Sequence, residues 1–188
     1  MAAIVLAAGQ SRRMGEQNKL LLPFGNSAIL GTVLDNLLAV GLGEIYLVTG
    51  HEAEKVQEAV AGQNIRIIHN PDYALGLSSS LKAGIAALSE ATEAAMICLG
   101  DMPGVTAEDY RKLVEAWAPG KIIVPVQDGR QGNPVIFDRK YFSEIMEFQG
   151  DRGAKTLLVK YRDQLVTVPC GHEGIFRDVD TPEDYHST

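Results

Sequence analysis

The sequence predicts an α/β protein, a doubly wound, mostly parallel sheet with helices on both faces. Three observations carry this. Apolar, β-branched runs alternate with amphipathic helical stretches from end to end of the chain, a pattern that builds right-handed βαβ crossovers. The runs at 3–8 and 94–99 are apolar throughout, as strands covered on both faces are. The chemistry-bearing motifs fall just after such runs, and sheets of this kind bind ligands at the carboxyl ends of their strands.

The elements follow in order. Residues 3–8 read as a strand. Residues 27–40 read as a helix, with Ile29, Leu30, Val33, Leu34, Leu37 and Leu38 on one wide apolar face and Gly41 as its stop. Strands at 44–49 and 65–69 flank a short helix at 52–61. A helix at 79–88 has a serine available as its cap. After the strand at 94–99, a helix at 106–117 opens on Thr106-Ala107-Glu108-Asp109, a capping-box pattern with Asp in place of Glu. Strands are expected at 122–126 and 134–137, helices at 138–147 and 154–161, and a strand at 164–168. Thr181 and Pro182 start a terminal helix as N-cap and first helical residue. No repeat, low-complexity stretch or linker interrupts the chain. One domain spanning 1–188 is expected, enough to bury roughly 70% of its unfolded surface.

The net charge of −7 argues against non-specific nucleic-acid binding, which needs a basic footprint. A nucleotide remains compatible, because phosphate sites are local. Cys98 and Cys170 match no metal-ligand spacing. The first apolar run precedes its positive charges, the reverse of a signal peptide. No segment is long enough to span a membrane. A cytoplasmic protein with no nucleic-acid or membrane partner is expected.

The first motif is Leu6-Ala7-Ala8-Gly9-Gln10-Ser11-Arg12-Arg13-Met14-Gly15, followed by Asn18-Lys19. Its glycines permit positive φ and a close ligand approach. Backbone N–H groups in such a turn form an anion nest, to which Arg13 and Lys19 add charge. It is not a Walker A loop, which needs G-x-x-x-x-G-K-[ST]. It is not a dinucleotide fingerprint either, since Ser11 stands where a glycine is required. The remaining alternative is a basic turn that merely caps the sheet.

The turn resembles the L-A-A-G-x-S-x-R-M-G-x-x-K signature of the MobA-like nucleotidyltransferases, enzymes that attach CMP or GMP to the molybdenum cofactor and are relatives of sugar-phosphate nucleotidyltransferases. The resemblance extends in motif order from Leu6 to Asp184. It implies a Rossmann-like nucleotidyltransferase fold. It also implies that Lys19, Arg13 and Asp101 are catalytic. Leu6, Ala7, Ala8, Gly9, Ser11, Arg12, Arg13 and Lys19 would then bind the nucleotide.

Leu99-Gly100-Asp101-Met102-Pro103 throws a carboxylate out at a strand's end, where it can hold Mg²⁺ or simply cap a turn. Asp178-Val179-Asp180-Thr181-Pro182 resembles the family's D-x-D-T-P-E-D segment, which makes Asp180 the second metal residue. Asp178 shares its face and stays a competitor. Gly76 to Gly84 resembles the family's G-x-S-x-S-L-x-x-G, which lies beside base and ribose. Ser78, Ser79, Ser80 and Gly84 are the nucleotide-binding expectations there, and a plain capping cluster is the alternative. The guanylyl branch carries G-P-L-A-G in this region; its absence points to CTP.

Asn133 and Pro134, with Asp151, Gly153 and Lys155, resemble the acceptor-side segments of the cytidylyl branch. An ordinary tight turn is the alternative. Many members carry His where this chain has Asn133, which cannot titrate. The four histidines show no triad. The resemblance implies CMP transfer from CTP, with Mg²⁺, to a molybdopterin phosphate. It further implies a molybdenum hydroxylase, or that enzyme's maturation factor, as protein partner. Guanylyl or sugar-phosphate transfer is the nearest rival. A nicotinamide-dependent oxidoreductase is a more distant one, with Glu52 as its ribose acid, and a non-catalytic binding module is the third.

Overall fold

A computed structural model describes residues 1–15, 17–148 and 153–187. Among the described residues there are ten strands: β1 Ala2–Ala7, β2 Pro23–Phe24, β3 Ser27–Ala28, β4 Glu44–Thr49, β5 Arg66–His69, β6 Ala94–Leu99, β7 Ile122–Gln127, β8 Arg130–Gln131, β9 Val135–Asp138 and β10 Leu165–Pro169. The α-helices are α1 Ile29–Leu38, α2 Ala53–Ala59, α3 Leu77–Ala86, α4 Ala107–Glu115, α5 Phe142–Ile145, α6 Gly153–Lys160 and α7 Pro182–Ser187. The main sheet runs β10-β7-β9-β6-β1-β4-β5, with β8 added to β7, while β2 and β3 form a separate hairpin.

The sheet is mostly parallel, as expected. β1 pairs in parallel with β4 and β6, β4 with β5, and β7 with β10. β9 runs antiparallel between β6 and β7. The stretch from Gln127 to Val135 is too short for a crossover, which takes a dozen or more residues, so the chain returns as a hairpin through β8.

β1 shows why the sheet is wound on both sides. Ala3, Val5 and Ala7 face one core with Val33, Leu34 and Leu37 of α1, Val56 of α2 and Leu113 of α4. Ala2, Ile4 and Leu6 face the other with Leu81 and Ile85 of α3, Phe142 and Ile145 of α5 and Leu157 of α6. No helix of the described residues is long and apolar enough to cross a membrane.

Two helix starts follow their sequence signals. The Thr106 hydroxyl accepts from Asp109 N at 3.2 Å, and Asp109 Oδ2 accepts from Thr106 N at 2.8 Å. The same reciprocal box opens α7, between Thr181 and Asp184. The helix expected over 138–147 is broken into a 3₁₀ turn, Arg139–Tyr141, and the single turn of α5. Asp138 caps Lys140 N, Arg139 N donates to Glu93 O, and the Arg139 guanidinium donates to Ser89 O and Thr92 O. These tertiary ties hold the start of the segment away from an α-helical path.

Gly84 sits in α3 against the sheet, where a Cβ would lie 2.5 Å from Ile4 Cγ2 and 3.2 Å from Val48 Cγ2. Its role here is close helix–strand packing. Gly84→Val is expected to cost about 1–3 kcal/mol through overpacking, which lowers Tm by about 2–12 °C in a chain of this size. A differential-scanning measurement checks this, and an unchanged Tm would remove the packing role.

Candidate active site

The first loop leaves β1 at Ala7 and turns through Ser11, whose φ of 49° is left-handed, into a 3₁₀ turn, Arg12–Met14, that Gly15 closes at φ 69°. Asn18 then starts a second 3₁₀ turn, Lys19–Leu21, and its side chain accepts from Leu20 N. Lys19 N donates to Ser11 Oγ at 3.3 Å, which ties the two turns together. The consequence is an inward Lys19, only 8% exposed.

The Lys19 ammonium bridges two carboxylates from distant parts of the chain, Asp101 Oδ2 at 2.6 Å and Asp180 Oδ1 at 2.5 Å. Burial works against its charge, but Asp101 and Asp180 outweigh burial and hold its pKa above the ordinary lysine value. Arg13 Nη1 pairs with Asp180 Oδ2 at 2.9 Å, with its guanidinium largely in solvent. Asp101 comes off the end of β6 beside β1: Gly100 N donates to Leu6 O, and a Cβ at Gly100 would lie 3.1 Å from that same oxygen. Val179 N donates to Asp101 O, so the C-terminal segment lies directly on the Asp101 turn.

Asp101, Asp178 and Asp180 each offer a carboxylate oxygen within 4.8 Å of the others. Both competitors for the second metal position therefore stand beside Asp101. All-carboxylate oxygen donors suit a hard divalent cation. The Lys19 ammonium, seated between two of the three, shows that the cluster accommodates positive charge.

Above this cluster lies a cavity of about 330 Å³. Leu6, Ala7, Ala8, Gly9, Ser11, Arg13 and Lys19 line one side, Tyr73, Gly76, Leu77 and Ser80 the other, with Leu99, Asp101 and Asp180. Of the remaining nucleotide-side expectations, the Arg12 side chain lies outside the described residues. Ser78 and Ser79 line a different cavity, of about 620 Å³, with Asn70, Lys82, Met146 and Phe148. Here α3 starts at Leu77 rather than 79, so these serines already lie in its first turn. The Ser79 hydroxyl lies 2.8 Å from Gly76 O and 2.9 Å from Asp72 O, in donating reach of both, and it accepts from Asn70 Nδ2 at 3.0 Å; it serves local backbone and side-chain contacts and does not cap α3. Ser80 Oγ accepts from buried Asn70 Nδ2 at 3.0 Å. Gly84 is occupied in the helix–sheet contact described above.

On the acceptor side, Asn133 and Pro134 sit between β8 and β9, where Asn133 N donates to Ile175 O at 2.9 Å. Neither lines the 330 Å³ cavity. Gly153 opens α6 and Lys155 follows as an exposed residue, while Asp151 lies outside the described residues.

Tyr73 is the aromatic residue of the cavity lining, and sequence reasoning missed it. Its signal is indirect: Gly50 has no Cβ because one would lie 2.5 Å from Tyr73 Cβ and 2.9 Å from Ala8 Cβ. A second omission is the partnership of His172, whose Nε2 stands 2.9 Å from Asp109 Oδ2. The Thr106 hydrogen bonds and nearby His172 overcome burial and keep the Asp109 carboxyl below its usual range. Burial pushes the Cys98 thiol up, and together with neighbouring Asp109 it raises that of Cys170 to about 11. Neither is a reactive thiolate at neutral pH.

A mostly parallel sheet with a basic turn and carboxylates at one edge belongs, with the matches that follow, to an enzyme of the nucleotidyltransferase class. A family model described as the MobA-like NTP transferase domain matches residues 3–165. The chain belongs to the MobA-like NTP transferase family. It is 35% identical over 183 residues to the molybdenum cofactor cytidylyltransferase of Escherichia coli, covering 97% of this chain and 92% of that protein. It is 27% identical to the nicotine blue oxidoreductase of Paenarthrobacter nicotinovorans, covering 99% and 95%. Among solved structures it resembles Rv0371C of Mycobacterium tuberculosis in complex with manganese, at TM-score 0.86, 27% identity and coverage of 99% and 96%.

Proposed function

We propose that this chain, acting as one domain, transfers CMP from CTP to the phosphate of a molybdopterin-type cofactor and releases pyrophosphate. The observation that carries the transfer chemistry is the buried Lys19 ammonium held between Asp101 and Asp180 at the mouth of the loop cavity. The 35% identity to a molybdenum cofactor cytidylyltransferase supports the choice of base and acceptor.

In this reading Asp101, Asp180 and Asp178 hold Mg²⁺. Bound Mg²⁺ supplies charge neutralisation at the phosphates. The backbone N–H groups of 8–11 and Arg13 hold the β and γ phosphates. Lys19 lies against the α-phosphate and neutralises the charge that grows there as the acceptor oxygen attacks in line. The acceptor phosphate is already ionised near neutral pH, so the chain supplies no base; positioning and charge do the work. Asn133, Pro134, Asp151, Gly153 and Lys155 are the acceptor-side residues of the proposal, and a molybdenum hydroxylase or its maturation factor would take the product.

A second reading rests on the relative that bears an oxidoreductase name. Against it, Ser11 stands at the glycine of the dinucleotide code, and Glu52 pairs with Lys55. Thermal-shift titration with CTP, GTP, ATP, UTP and NAD, each with and without Mg²⁺, separates the readings, because a ligand that binds the native state raises Tm. A Mg²⁺-dependent shift with CTP alone is the expected result. A shift with GTP alone would move the base assignment, and a shift with NAD and no triphosphate would sink nucleotidyl transfer.

A further inference from the structure

The C-terminal segment between β10 and α7 delivers Asp178 and Asp180 to Asp101, yet it has almost no regular structure of its own. Its single element is a 3₁₀ turn, Glu173–Ile175. Its path is therefore set by discrete pins. Cys170 N donates to Val126 O where the segment leaves the sheet, and Val179 N donates to Asp101 O where it arrives at the site. Between them, Ile175 O accepts from Asn133 N, and His172 and Gly174 fix the segment to the front of α4.

Asp109 is 2% exposed, and its Oδ2 accepts from Thr106 N at 2.8 Å and Thr106 Oγ1 at 2.6 Å. Those bonds already complete the cap of α4. The same oxygen lies 2.9 Å from His172 Nε2. Gly174 N donates to His172 Nδ1 at 3.1 Å, so Nδ1 is an acceptor and the ring proton sits on Nε2, aimed at Asp109. Gly174 in turn packs backbone to backbone on Gly104, three residues past Asp101: a Cβ on Gly174 would lie 2.2 Å from Gly104 O.

We infer that His172, held by Asp109, is a positioning residue that locks this segment so that Asp178 and Asp180 face Asp101 as one cation site. The inference rests on the metal role assigned to these carboxylates above. The imidazole contacts both Asp109 and the backbone of its own segment, so it ties the segment to the start of α4. A partner that orients a metal ligand contributes 10–100-fold in affinity when it touches the ligand directly; acting through the backbone, His172 is expected at about the low end of that range.

The test is Mn²⁺ binding to the full chain without nucleotide, followed by electron paramagnetic resonance, with Tm measured alongside. His172→Leu removes both contacts. His172→Asn keeps an oxygen for Gly174 N but is too short for Asp109. Both are expected to weaken Mn²⁺ binding by about 10-fold with a single cooperative unfolding transition. If His172→Leu does not fold, His172→Asn carries the test. His172→Gln has an acceptor and an N–H donor of nearly the ring's reach and is expected to restore affinity to within about twofold of wild type. Wild-type affinity in His172→Asn, or a His172→Gln variant no better than His172→Asn, would overturn the positioning role. If the wild-type chain itself does not bind Mn²⁺, the carboxylate metal site falls, and this inference with it. Binding in the wild type that is unaltered in the variants overturns this inference alone.

Discussion

Replacing Lys19 with methionine is expected to reduce kcat for nucleotidyl transfer by about 10²–10³-fold, the scale on which one preorganised charge donor contributes to a transition state. The side chain is buried and its ammonium meets two carboxylates. Methionine matches its length and apolar stem without its charge. In the proposed reaction the ammonium meets more negative charge at the α-phosphate in the transition state than in the bound substrate. The loss should therefore appear in kcat far more than in KM for CTP. Steady-state kinetics with saturating Mg²⁺ and a pterin phosphate acceptor read this directly. A variant that loses CTP binding and keeps kcat at saturation would assign Lys19 to ground-state binding.

Asp101→Asn is expected to lower metal-dependent turnover by about 10²-fold or more, since even outer-shell partners of a metal contribute 10–100-fold. The amide keeps the shape of the carboxylate and removes the charge that a hard cation requires. The backbone contacts that place residue 101, from Gly100 N to Leu6 O and from Val179 N to Asp101 O, do not involve the side chain. The fold should persist, with Lys19 retaining Asp180 as counter-ion. Initial rates across a metal titration, with Tm as the control for folding, provide the measurement. Retained activity would take Asp101 out of the reaction. The comparison of Asp178→Asn with Asp180→Asn then ranks the two C-terminal carboxylates, of which Asp180 alone pairs with Lys19 and Arg13 among the described residues.

Much of the architecture was legible because it is written in short-range patterns. The apolar runs of β1 and β6 leave no polar face, so each had to be an interior strand with helices on either side. Thr106 and Asp109 stand at capping-box spacing, and the box forms. The helix expected over 138–147 was misjudged because its competitors are distant: Glu93, Ser89 and Thr92 bind Arg139 from another loop. The antiparallel placement of β9 is a matter of connection length, which the residues of β9 themselves do not encode.

The candidate site divides along the same line. The sequence by itself determined the alternation of strands and helices, the basic turn after β1, and a carboxylate at the end of β6, because each depends on neighbours a few residues away. Only the tertiary structure decided that α3 begins at Leu77, leaving Ser80 to line the cavity, Ser79 to bond its local backbone and Gly84 to pack against Ile4. It also decided that Asp178 and Asp180 both reach Asp101, and that His172 pairs with Asp109. These meetings join the C-terminal segment to the middle of the chain. They exist because the sheet places the ends of β1 and β6 side by side and the C-terminal segment is pinned across them, a juxtaposition that no local pattern of residues contains.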